Sequence, residues 1–501
     1  MVSSVSNTPK TAKTSIFYMN DVHGQSLKME RLYKASDDFD SFVPSEKTNK
    51  LKFASGDIML GRGIKENIVA SNFLDLCKIM ASAIGNHEVD GKSPDNLIQA
   101  TVDKKYKLLA SNIHPGADNP ISKIVQKSYI QEQDGVKYGV IGLTPVDLFQ
   151  NIKFPESYKS LNLDSFEETV KDVQAEVDKF QKQGVDKVIV LSHMGHSNGQ
   201  KLAQQTSGVD VILGGHTHEL IKDIKEGYNL IYSKNGEPVI LTQAGRDGNN
   251  FGVLNLDFNE KGVITKAQNN IGNTNDFGRS FVAKYLFERI LGKPEIIGNI
   301  DKVAPPVKNI YAEENPQADF TLDALRSQLG TDVAIIHSAN MRGVIEKGVL
   351  DTRVLTSAIA PFNNKTVVVK ISEKDLVNSI KKLGKRTFSD VNTRPGIMQV
   401  SGLTYKMSKK DGELLEMNML DKSGQILPVD VKNPNSNKLY TLASDDYGIS
   451  GENALNLPNL LTDGSVIQKF DTDKDKFVAD FIKKQTAPIE IKADGRIKIV
   501  D

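Results

Sequence analysis

The amino-acid sequence predicts an α/β protein of two domains. In the first half, short apolar runs alternate with helix-like stretches, which is typical of internal sheets covered by helices. Many of these runs are apolar without interruption, as expected for strands that are buried on both faces. After about residue 270 a polar, glycine-rich stretch intervenes, and a second α/β pattern then runs to the end of the chain.

Composition and charge place the chain among ordinary globular proteins. Of its 501 residues, 39% are hydrophobic and 25% are charged, which is enough apolar material for sizeable cores. A prior of roughly 150 residues per domain suggests three domains, but large α/β units run longer, and we expect two. The 63 basic and 63 acidic residues cancel. Because no apolar run could span a bilayer either, we expect neither a nucleic-acid polymer nor a membrane as partner.

The N-terminus and the cysteine content bear on the cellular compartment. The opening stretch MVSSVSNTPKTAKTS is polar and lacks the apolar core of a signal peptide. We therefore expect residues 1–14 to be a disordered tail and the protein to be cytoplasmic; the alternative is an exported form whose signal has been removed. The single cysteine, Cys77, rules out a disulfide within the chain, and its amphipathic surroundings predict a buried thiol.

The elements of the first domain, expected over 15–270, follow from the apolar pattern. The clearest helix is 166–184, because valines and a phenylalanine recur every three or four residues and Gly184 ends the pattern. The candidate strands are the apolar runs at 15–20, 51–56, 106–112, 137–143, 187–193, 209–215 and 238–244.

A linker and a second domain are expected to follow. The stretch NNIGNTNDFG (269–278) suits a linker, and 280–292 has a helical pattern, so residues 271–294 are expected to connect the two domains. The second domain is expected over 295–501. Its candidate elements are strands at 365–372, 402–408 and 439–444 and a helix at 375–384.

Side chains that can bind metal ions follow four of these candidate strands and a fifth short apolar run, SAIG (82–85). In open α/β sheets the carboxyl ends of strands form ligand sites, and five of the eight histidines lie at these strand ends. A single Asp-x-His or Gly-Asp would be an ordinary turn, but five such strand ends in one domain indicate a common site. The residues are Asp21 and His23, then Asp57, then Asn86 with His87 and Asp90, then His193, and finally His216 with His218.

This set of side chains predicts two divalent metal ions. Carboxylate, imidazole and amide groups offer oxygen and nitrogen ligands, which suit Mn, Zn or Fe rather than a soft thiolate site. Seven candidate ligands are too many for one tetrahedral ion, but they suit two ions that share a carboxylate. Two ions roughly 3.5–4 Å apart activate water and neutralise phosphoryl oxygens in displacements at phosphorus.

Five motifs together carry a family resemblance. They are NDVHG (20–24), SGD (55–57), GNHEVD (85–90), SHMGH (192–196) and GGHTHE (214–219). In this order they resemble the calcineurin-like metallophosphatases and, within them, the 5′-nucleotidase family, which includes bacterial UDP-sugar hydrolases. The resemblance implies an N-terminal four-layer α-β-β-α metallophosphatase domain and a smaller C-terminal α/β domain of the 5′-nucleotidase type.

The resemblance also implies a role for each strand-end residue. Asp21, His23 and His218 would hold the first metal ion. Asn86, His193 and His216 would hold the second, and Asp57 would bridge the two. His87, oriented by Asp90, would face the phosphate and stabilise the transition state or assist the leaving alkoxide.

Several neighbouring residues admit more than one interpretation. Glu88 is expected to support its loop by hydrogen bonds rather than to bind metal. His196 could contact the substrate, or it could have a structural role beside the site. Gln243 and Arg246 could line the site, or they could have a structural role. His114 is expected in a turn.

In this family the C-terminal domain supplies the substrate pocket. Arg342, in HSANMRG (337–343), matches the family's arginine, which suits a phosphate or carboxylate. Phe362 and Tyr447 could sandwich a planar base, the alternative being that both are core aromatics. Three departures bear on the substrate: His337 replaces an asparagine, Asn453 replaces an aspartate, and 311–325 lacks the usual arginine.

The leading hypothesis is therefore a dinuclear-metal-dependent phosphoester hydrolase, specifically a 5′-nucleotidase acting on nucleotides or a related small phosphoester. A 2′,3′-cyclic-nucleotide phosphodiesterase or a UDP-sugar hydrolase would keep the mechanism and change the substrate. A catalytically silent binding protein on the same fold is disfavoured, because loss of catalysis should remove ligands and all seven are present.

Overall fold

The apolar runs of the first half form the strands of two stacked sheets. The computed structural model of the chain describes residues 11–60, 63–89, 94–116, 118–148, 161–389, 396–421, 423–451, 455 and 457–501. The chain divides into two units, Met1–Lys293 and Pro294–Asp501.

The first unit alternates strands and helices along most of its length. Its described elements are β1 (Ala12–Met19), α1 (Ser26–Ser41), β2 (Asn49–Ala54), α2 (Ile64–Leu76), β3 (Ala81–Ala83), α3 (Pro94–Thr101), β4 (Lys107–Leu109), β5 (Ile113–Pro115), β6 (Val125–Gln126), β7 (Ser128–Gln133), β8 (Val136–Leu143), β9 (Leu161–Leu163), α4 (Phe166–Lys182), β10 (Val188–Ser192), α5 (His196–Gln205), β11 (Val211–Gly214), β12 (Leu230–Tyr232), β13 (Pro238–Thr242), β14 (Asn250–Phe258), β15 (Ile264–Asn273) and α6 (Phe281–Leu291).

Both large sheets of this unit are mainly parallel, with antiparallel strands at one edge of the first sheet and at both edges of the second. One has the strand order β15-β14-β1-β2-β3-β4-β6, in which β1, β2, β3, β4 and β6 are parallel. The other has the order β12-β13-β11-β10-β8-β7, in which β13, β11, β10 and β8 are parallel. Parallel neighbours end at the same edge of a sheet, so the loops that follow them are brought together.

The two sheets pack face to face, with helices covering both outer faces. Between the sheets lies a core to which both contribute, for example Ile16 and Phe53 from one and Val140 and Leu191 from the other. A second core joins the first sheet to α1, α2 and α6, and a third joins the second sheet to α4 and α5. The predicted four-layer α-β-β-α arrangement is therefore confirmed.

Local sequence explains how the clearest helix begins. The Ser165 hydroxyl accepts the Glu168 N–H, and the Glu168 carboxylate accepts the Ser165 N–H, which completes a capping box at the start of α4. Val173, Val177 and Phe180 are buried against the second sheet. The helix spans Phe166–Lys182, within the predicted 166–184.

Two stretches that the sequence predicted to lack regular structure belong to strands. Strand β1 begins at Ala12, inside the tail expected over 1–14; residues 1–10 lie outside the described part. Strand β15 extends to Asn273, where the sequence suggested a linker. It is an edge strand with mostly exposed or half-buried side chains, so it lacks the apolar period that would have revealed it.

The second unit is also α/β, with a five-stranded sheet at its centre. Its described elements are β16 (Ile296–Val303), α7 (Pro316–Leu329), β17 (Val333–His337), β18 (Gly348–Asp351), α8 (Thr352–Ile359), β19 (Thr366–Ser372), α9 (Glu373–Ser389), β20 (Met398–Ser401), β21 (Leu403–Ser408), β22 (Leu414–Leu420), β23 (Ile426–Pro428), β24 (Leu439–Asp445), β25 (Val466–Lys469), α10 (Lys474–Lys483), β26 (Ile489–Ile491) and β27 (Ile497–Val500).

This central sheet has the strand order β20-β17-β24-β19-β25 and is covered on both faces. Ala334 and Ile336 of β17 pack into a core with α7, α8 and α10. Val333 and Ile335, on the opposite face of the same strand, pack with α9, β21 and β22. The alternation follows from the two-residue period of a strand.

The described helices can be compared with the length and apolar character of a bilayer-spanning helix. Among them, none combines the length and the apolar character needed to cross a bilayer. The cytoplasmic localisation expected from the N-terminal sequence stays a prediction.

Candidate metal centre

The predicted donors lie directly after the carboxyl ends of five strands. Asp21, Asp57 and Asn86 follow β1, β2 and β3, which are adjacent and parallel in the first sheet. His193 and His216 follow β10 and β11, which are adjacent and parallel in the second sheet. The topology therefore brings together side chains that are far apart in sequence.

One group of donors consists of Asp21, His23 and His218. The Nε2 atom of His218 lies 3.2 Å from Asp21 Oδ1, and His23 Nε2 lies 3.8 Å from the same oxygen. One donor atom from each of the three side chains lies within 4.8 Å of the other two, a spacing that a single ion could span. Asp21 and His23 are buried and His218 is half-buried.

A second group consists of Asp57, His193 and His216, and Asn86 joins it. His193 Nε2 lies 3.0 Å from Asp57 Oδ2. The Nδ1 atom of His216 lies 3.0 Å from Asn86 Oδ1. The donor atoms of Asp57, His193 and His216 also lie within 4.8 Å of one another.

Asp57 lies between the two groups. Its Oδ2 atom is 3.0 Å from His193 Nε2 and 3.6 Å from His23 Nε2, which belong to different groups. Its Oδ1 atom accepts the backbone N–H of His87 at 2.8 Å. The carboxylate is therefore within reach of both groups, as a bridging ligand must be.

Hydrogen bonds outside the centre orient the donors. His193 Nδ1 lies 2.6 Å from the Ser55 carbonyl oxygen; an acceptor there requires a proton on Nδ1, so Nε2 is the ring nitrogen that faces Asp57. The Asp21 carboxylate accepts the backbone N–H of His216 at 3.0 Å and the Asn20 side-chain amide at 2.7 Å.

The concentration of buried charge changes the acid–base behaviour of the centre. Burial opposes ionisation of Asp57, but His193 and His87 beside it hold its pKa well below the usual value. Burial likewise acts to lower the pKa of His193, but Asp57 and Asp21 raise it to about 10. The carboxylates thus attract positive charge into a buried space.

Backbone strain is concentrated at the same place. Non-glycine residues rarely adopt positive φ angles, which cost free energy unless the surroundings enforce them. Of the nine described non-glycine residues with positive φ, six lie at this centre: Asp21 (51°), His23 (52°), Asp57 (53°), His216 (78°), His218 (63°) and Asp247 (55°). The fold imposes unusual backbone geometry to aim these side chains.

Glu88 holds two of the donor loops together, as predicted. Its buried carboxylate accepts four backbone N–H groups at 2.7–3.0 Å, from Asp57, Ile58, Met59 and Gly85. Each carboxylate oxygen accepts two of these main-chain groups. Glu88 therefore fixes the loop after β2 against the loop after β3.

His87 is half-buried beside the donors. Its ring lies edge-on to that of His23, with ring centres 5.2 Å apart, and its donor atom is within 4.8 Å of donors from His23 and Asp57. The residue predicted to orient it, Asp90, lies outside the described residues.

The strand end after β13 carries three residues of interest. Gln243 is buried; its amide donates to the Gly215 carbonyl at 2.9 Å and its oxygen accepts the Glu219 N–H, so it holds the loop that carries His216. Arg246 Nε lies 3.3 Å from Asp247 Oδ2. Sequence reasoning missed Asp247, although it is an aspartate at a strand end, the same signal that identified the others.

The two remaining first-unit histidines differ in their surroundings. His196, at the start of α5, is buried against Tyr228, with ring centres 4.6 Å apart. His114 lies in the short strand β5 rather than in a turn, and its Nε2 atom is 2.8 Å from Asp164 Oδ1. The expectation of a turn was wrong because β5 pairs with the distant strand β9.

In the second unit, the predicted substrate residues lie in loops at the ends of central strands. The guanidinium carbon of Arg342 lies 5.3 Å from the ring centre of Phe362, so the cation covers one face of that ring. The ring of Tyr447, which is 45% exposed, lies edge-on to that of His337 at 6.1 Å. Asn453 lies outside the described residues.

A buried ion pair fastens these loops. Asp445 accepts Asn340 Nδ2 at 2.6 Å and the Gly448 N–H at 2.7 Å, which ties the loop after β17 to the loop after β24. Lys474, buried beside it, lies 3.3 Å from Asp445 Oδ2. The loops of Arg342 and Tyr447 thus share a common support.

Comparison with known proteins gives two family matches. Residues 14–220 match the family described as calcineurin-like phosphoesterase, and residues 296–457 match the family described as 5′-nucleotidase, C-terminal domain. Together these matches cover parts of both units.

Individual relatives agree with these matches. The trifunctional nucleotide phosphoesterase protein YfkN of Bacillus subtilis (strain 168) is 24% identical over 97% of this chain and 35% of its own length. A probable 5′-nucleotidase of Treponema pallidum (strain Nichols) is 27% identical over 66% of this chain and 60% of its own length. The chain thus spans less than two thirds of the length of either relative.

The fold is likewise similar to a solved structure. A crystal structure of a 5′-nucleotidase precursor from Thermus thermophilus aligns with a TM-score of 0.75, covering 98% of this chain and 99% of that one. At 20% sequence identity this likeness establishes the fold and not the substrate.

Proposed function

We propose, from the premise that this chain belongs to the calcineurin-like phosphoesterases that carry a 5′-nucleotidase C-terminal domain, that it is a phosphoester hydrolase dependent on two divalent metal ions. The observation that carries the proposal is the convergence of seven oxygen and nitrogen donors in two groups that meet at Asp57. The leading activity is release of phosphate from nucleotides, that is, a 5′-nucleotidase.

The residues present suit two such ions. The donors are carboxylate, imidazole and amide groups without a thiolate, a set that Mn, Zn and Fe accept. His193 Nε2 is buried and has no well-aligned hydrogen-bond partner within the described part of the chain, while its Nδ1 is already engaged by Ser55. At Nε2, which lies 3.0 Å from Asp57 Oδ2, a divalent cation would take the place of the proton that the neighbouring carboxylates favour.

When bound, two divalent ions supply a nucleophile from water at neutral pH and neutralise charge on the phosphoryl group. Asp21, His23 and His218 would hold one ion. Asn86, His193 and His216 would hold the other, with Asp57 shared between them.

His87 is not one of the seven proposed metal ligands, and we propose that it acts on the substrate. Its imidazole lies beside the donors, and its backbone is fixed by the N–H bond to Asp57 Oδ1. We assign to it stabilisation of charge on the phosphoryl oxygens or donation of a proton to the leaving alkoxide.

Substrate recognition is assigned to the second unit. Arg342 offers a planar cation for a phosphate or carboxylate, and the half-exposed ring of Tyr447 offers a stacking surface for a base. Because Arg342 already covers one face of Phe362, that ring can present at most its other face to a ligand.

A 2′,3′-cyclic-nucleotide phosphodiesterase or a UDP-sugar hydrolase is the second candidate. It would use the same donors with a different leaving group. Two observations favour testing it. His337 and Asn453 differ from the residues that the family usually has at these positions, and the Bacillus subtilis relative is named a trifunctional nucleotide phosphoesterase.

Metal analysis tests the first part of the proposal. The purified protein should bind two divalent ions, and Asp57→Asn should bind fewer and lose activity, because a neutral amide is a poor bridging ligand. Asp223→Asn, an exposed aspartate of the same unit, should behave like the wild type. Unchanged metal stoichiometry in Asp57→Asn would remove Asp57 from the bridging role.

A phosphoester panel tests the substrate. Nucleoside 5′-monophosphates, 2′,3′-cyclic nucleotides and UDP-sugars are assayed with Mn²⁺ and with Zn²⁺, and we expect the 5′-monophosphates to give the highest kcat/KM. Arg342→Ala should raise KM more than it lowers kcat, and Arg342→Lys should recover part of the loss. An unchanged KM in Arg342→Ala would exclude the second unit's arginine from the pocket.

A further inference from the structure

Asp247 contacts the first group of donors through both its side chain and its main chain. Its Oδ1 atom lies 3.0 Å from His23 Nδ1, and its backbone N–H donates to the Asp21 carbonyl oxygen at 2.6 Å. The residue is buried, with 4% of its surface exposed. None of the five motifs that carry the family resemblance includes it.

The contact with His23 decides which ring nitrogen faces the donors. A carboxylate only accepts hydrogen bonds, so Nδ1 of His23 carries the proton and Nε2 keeps a lone pair. That Nε2 atom points toward Asp21 Oδ1 at 3.8 Å and Asp57 Oδ2 at 3.6 Å. Asp247 therefore selects the tautomer that a metal ion in the first group requires.

Backbone geometry adds an independent sign that this arrangement is enforced. Asp247 has φ of 55°, and the two residues that it supports, Asp21 and His23, have φ of 51° and 52°. A left-handed backbone costs free energy at each of these non-glycine residues, and Asp247 contacts both of the others. The contacts of Asp247 hold the loop after β1 in this conformation.

The two groups of donors differ in how their histidines are supported. His193, in the second group, has the neutral carbonyl oxygen of Ser55 behind it, whereas His23 has a carboxylate. A charged acceptor makes an imidazole a stronger ligand than a neutral one does. Arg246, 3.3 Å from Asp247 Oδ2, moderates this charge without displacing the His23 contact.

We propose that Asp247 is a positioning residue that sets the affinity of the first metal position while leaving the second nearly unchanged. The proposal rests on the proposed function, since it presumes two ions. It adds to that function a residue outside the ligand set that makes the two positions unequal.

Stepwise loading with Mn²⁺ tests the proposal. Bound Mn²⁺ is counted by electron paramagnetic resonance while a chelator is titrated against the wild type, Asp247→Asn and Asp247→Gly. Asp247→Gly suits the left-handed backbone and keeps the N–H bond to Asp21, so it removes only the carboxylate. We expect it to weaken one Mn²⁺ site by roughly 10–100-fold, and Asp247→Asn, which can still accept at Oδ1, to weaken it less.

A second readout follows the tautomer directly. In the wild type, imidazole ¹⁵N resonances should identify His23 as protonated at Nδ1, and in Asp247→Gly this preference should be lost. Asp223→Asn is the control for both measurements, and thermal unfolding checks that each variant is folded.

The outcomes separate this proposal from the proposed function. If the wild type binds two Mn²⁺ ions and Asp247→Gly binds both with unchanged affinity, Asp247 has no such role and the proposed function stands. Equal weakening of both sites would also overturn the proposal, because it would indicate a general loss of structure. If the wild type binds no Mn²⁺, both the role of Asp247 and the proposed two-metal function are contradicted.

Discussion

At the scale of single residues, Asp57 is fixed by contacts of both its main chain and its side chain. Its N–H donates to Glu88, its Oδ1 accepts from His87, and its Oδ2 lies near His193. Its backbone has φ of 53°. A carboxylate fixed by its own main chain and by three neighbours can be shared between two ions without rearranging, which is the kind of preorganisation that lowers the cost of charge stabilisation.

Removal of the His87 side chain should separate catalysis from metal binding. In His87→Ala the seven donors and the backbone N–H bond to Asp57 remain, so metal content should stay near that of the wild type. Turnover should fall by roughly 10²–10⁴-fold, because a positioned acid or charge stabiliser is lost. Steady-state kinetics with parallel metal analysis tests this; wild-type turnover would remove His87 from the mechanism.

Replacement of Glu88 by glutamine should destabilise the first unit. Each carboxylate oxygen of Glu88 accepts two backbone N–H groups, and the amide nitrogen of glutamine would face two of them without an acceptor. We expect Glu88→Gln to lower the free energy of unfolding by about 2 kcal/mol or more.

Urea denaturation measures this effect, with the exposed residue Glu260 as the matched control in Glu260→Gln. Metal content should fall with stability, since the loops after β2 and β3 would separate. A change below about 0.5 kcal/mol, the usual range for surface substitutions, would show that the four bonds are not needed.

At the scale of elements, the site depends on how closely neighbouring loops approach. Gly85 follows β3 and faces the backbone after β2. A Cβ atom added at Gly85 would lie 2.2 Å from Asp57 Oδ1 and 2.6 Å from Asp57 N. Only glycine leaves room for Asp57 there, so the requirement arises from packing between two parallel strands and not from a turn.

Gly85→Ala should therefore displace Asp57 and weaken metal binding. Bound metal and activity should both drop, while the cores between the layers are not directly touched. Gly278→Ala is the matched control, because a Cβ there meets nothing within 4 Å and its φ is not in the left-handed region. Normal metal content in Gly85→Ala would mean that the two loops can move apart at little cost.

At the scale of the whole molecule, each unit has its own cores, and the second contains an unusual buried acid. Asp319, on α7, is 1% exposed; within the described residues its carboxylate has no hydrogen bond of good geometry, and Arg496 Nε lies 3.7 Å from its Oδ1. Burial raises its pKa to about 9, and Glu314 adds to the effect, whereas Arg496 opposes it. We therefore expect Asp319 to be protonated at neutral pH in the folded second unit.

This buried acid predicts how the stability of the second unit varies with pH. In the unfolded chain Asp319 loses its proton near its ordinary pKa of about 4, but in the folded unit it keeps the proton until about pH 9. The stability that the protonated Asp319 contributes is therefore fully present below about pH 4 and is lost as the pH rises to about 9. The free energy of unfolding falls by no more than about 1.4 kcal/mol per pH unit over this range.

Asp319→Asn cannot ionise and should lack this dependence. Relative to the wild type, the variant should gain stability steadily from about pH 5 to about pH 9 in urea denaturation of the full chain. The exposed Asp463, as Asp463→Asn, provides the control. Parallel pH profiles for the wild type and Asp319→Asn would contradict the buried, protonated state.

Much of the fold and the chemistry of the site could be predicted because their signals are local. The second half of β1 and most of β10 and β11 are apolar runs, and α4 has both a helical period and a capping box. The edge strand β15 was missed because its side chains are mostly solvated, so its sequence resembles a linker. The ligand roles of the seven donors stay predictions, which the metal measurements above will test.

The sequence by itself determined which chemical groups this protein offers and in what order along the chain, since strand ends and donor types are read from neighbouring residues. Only the tertiary structure decided which groups meet. His23 and Asp247 are 224 positions apart, and the four bonds of Glu88 join loops from two strands. Contacts of this kind depend on the order of strands within and between sheets, and a local pattern carries no information about that order.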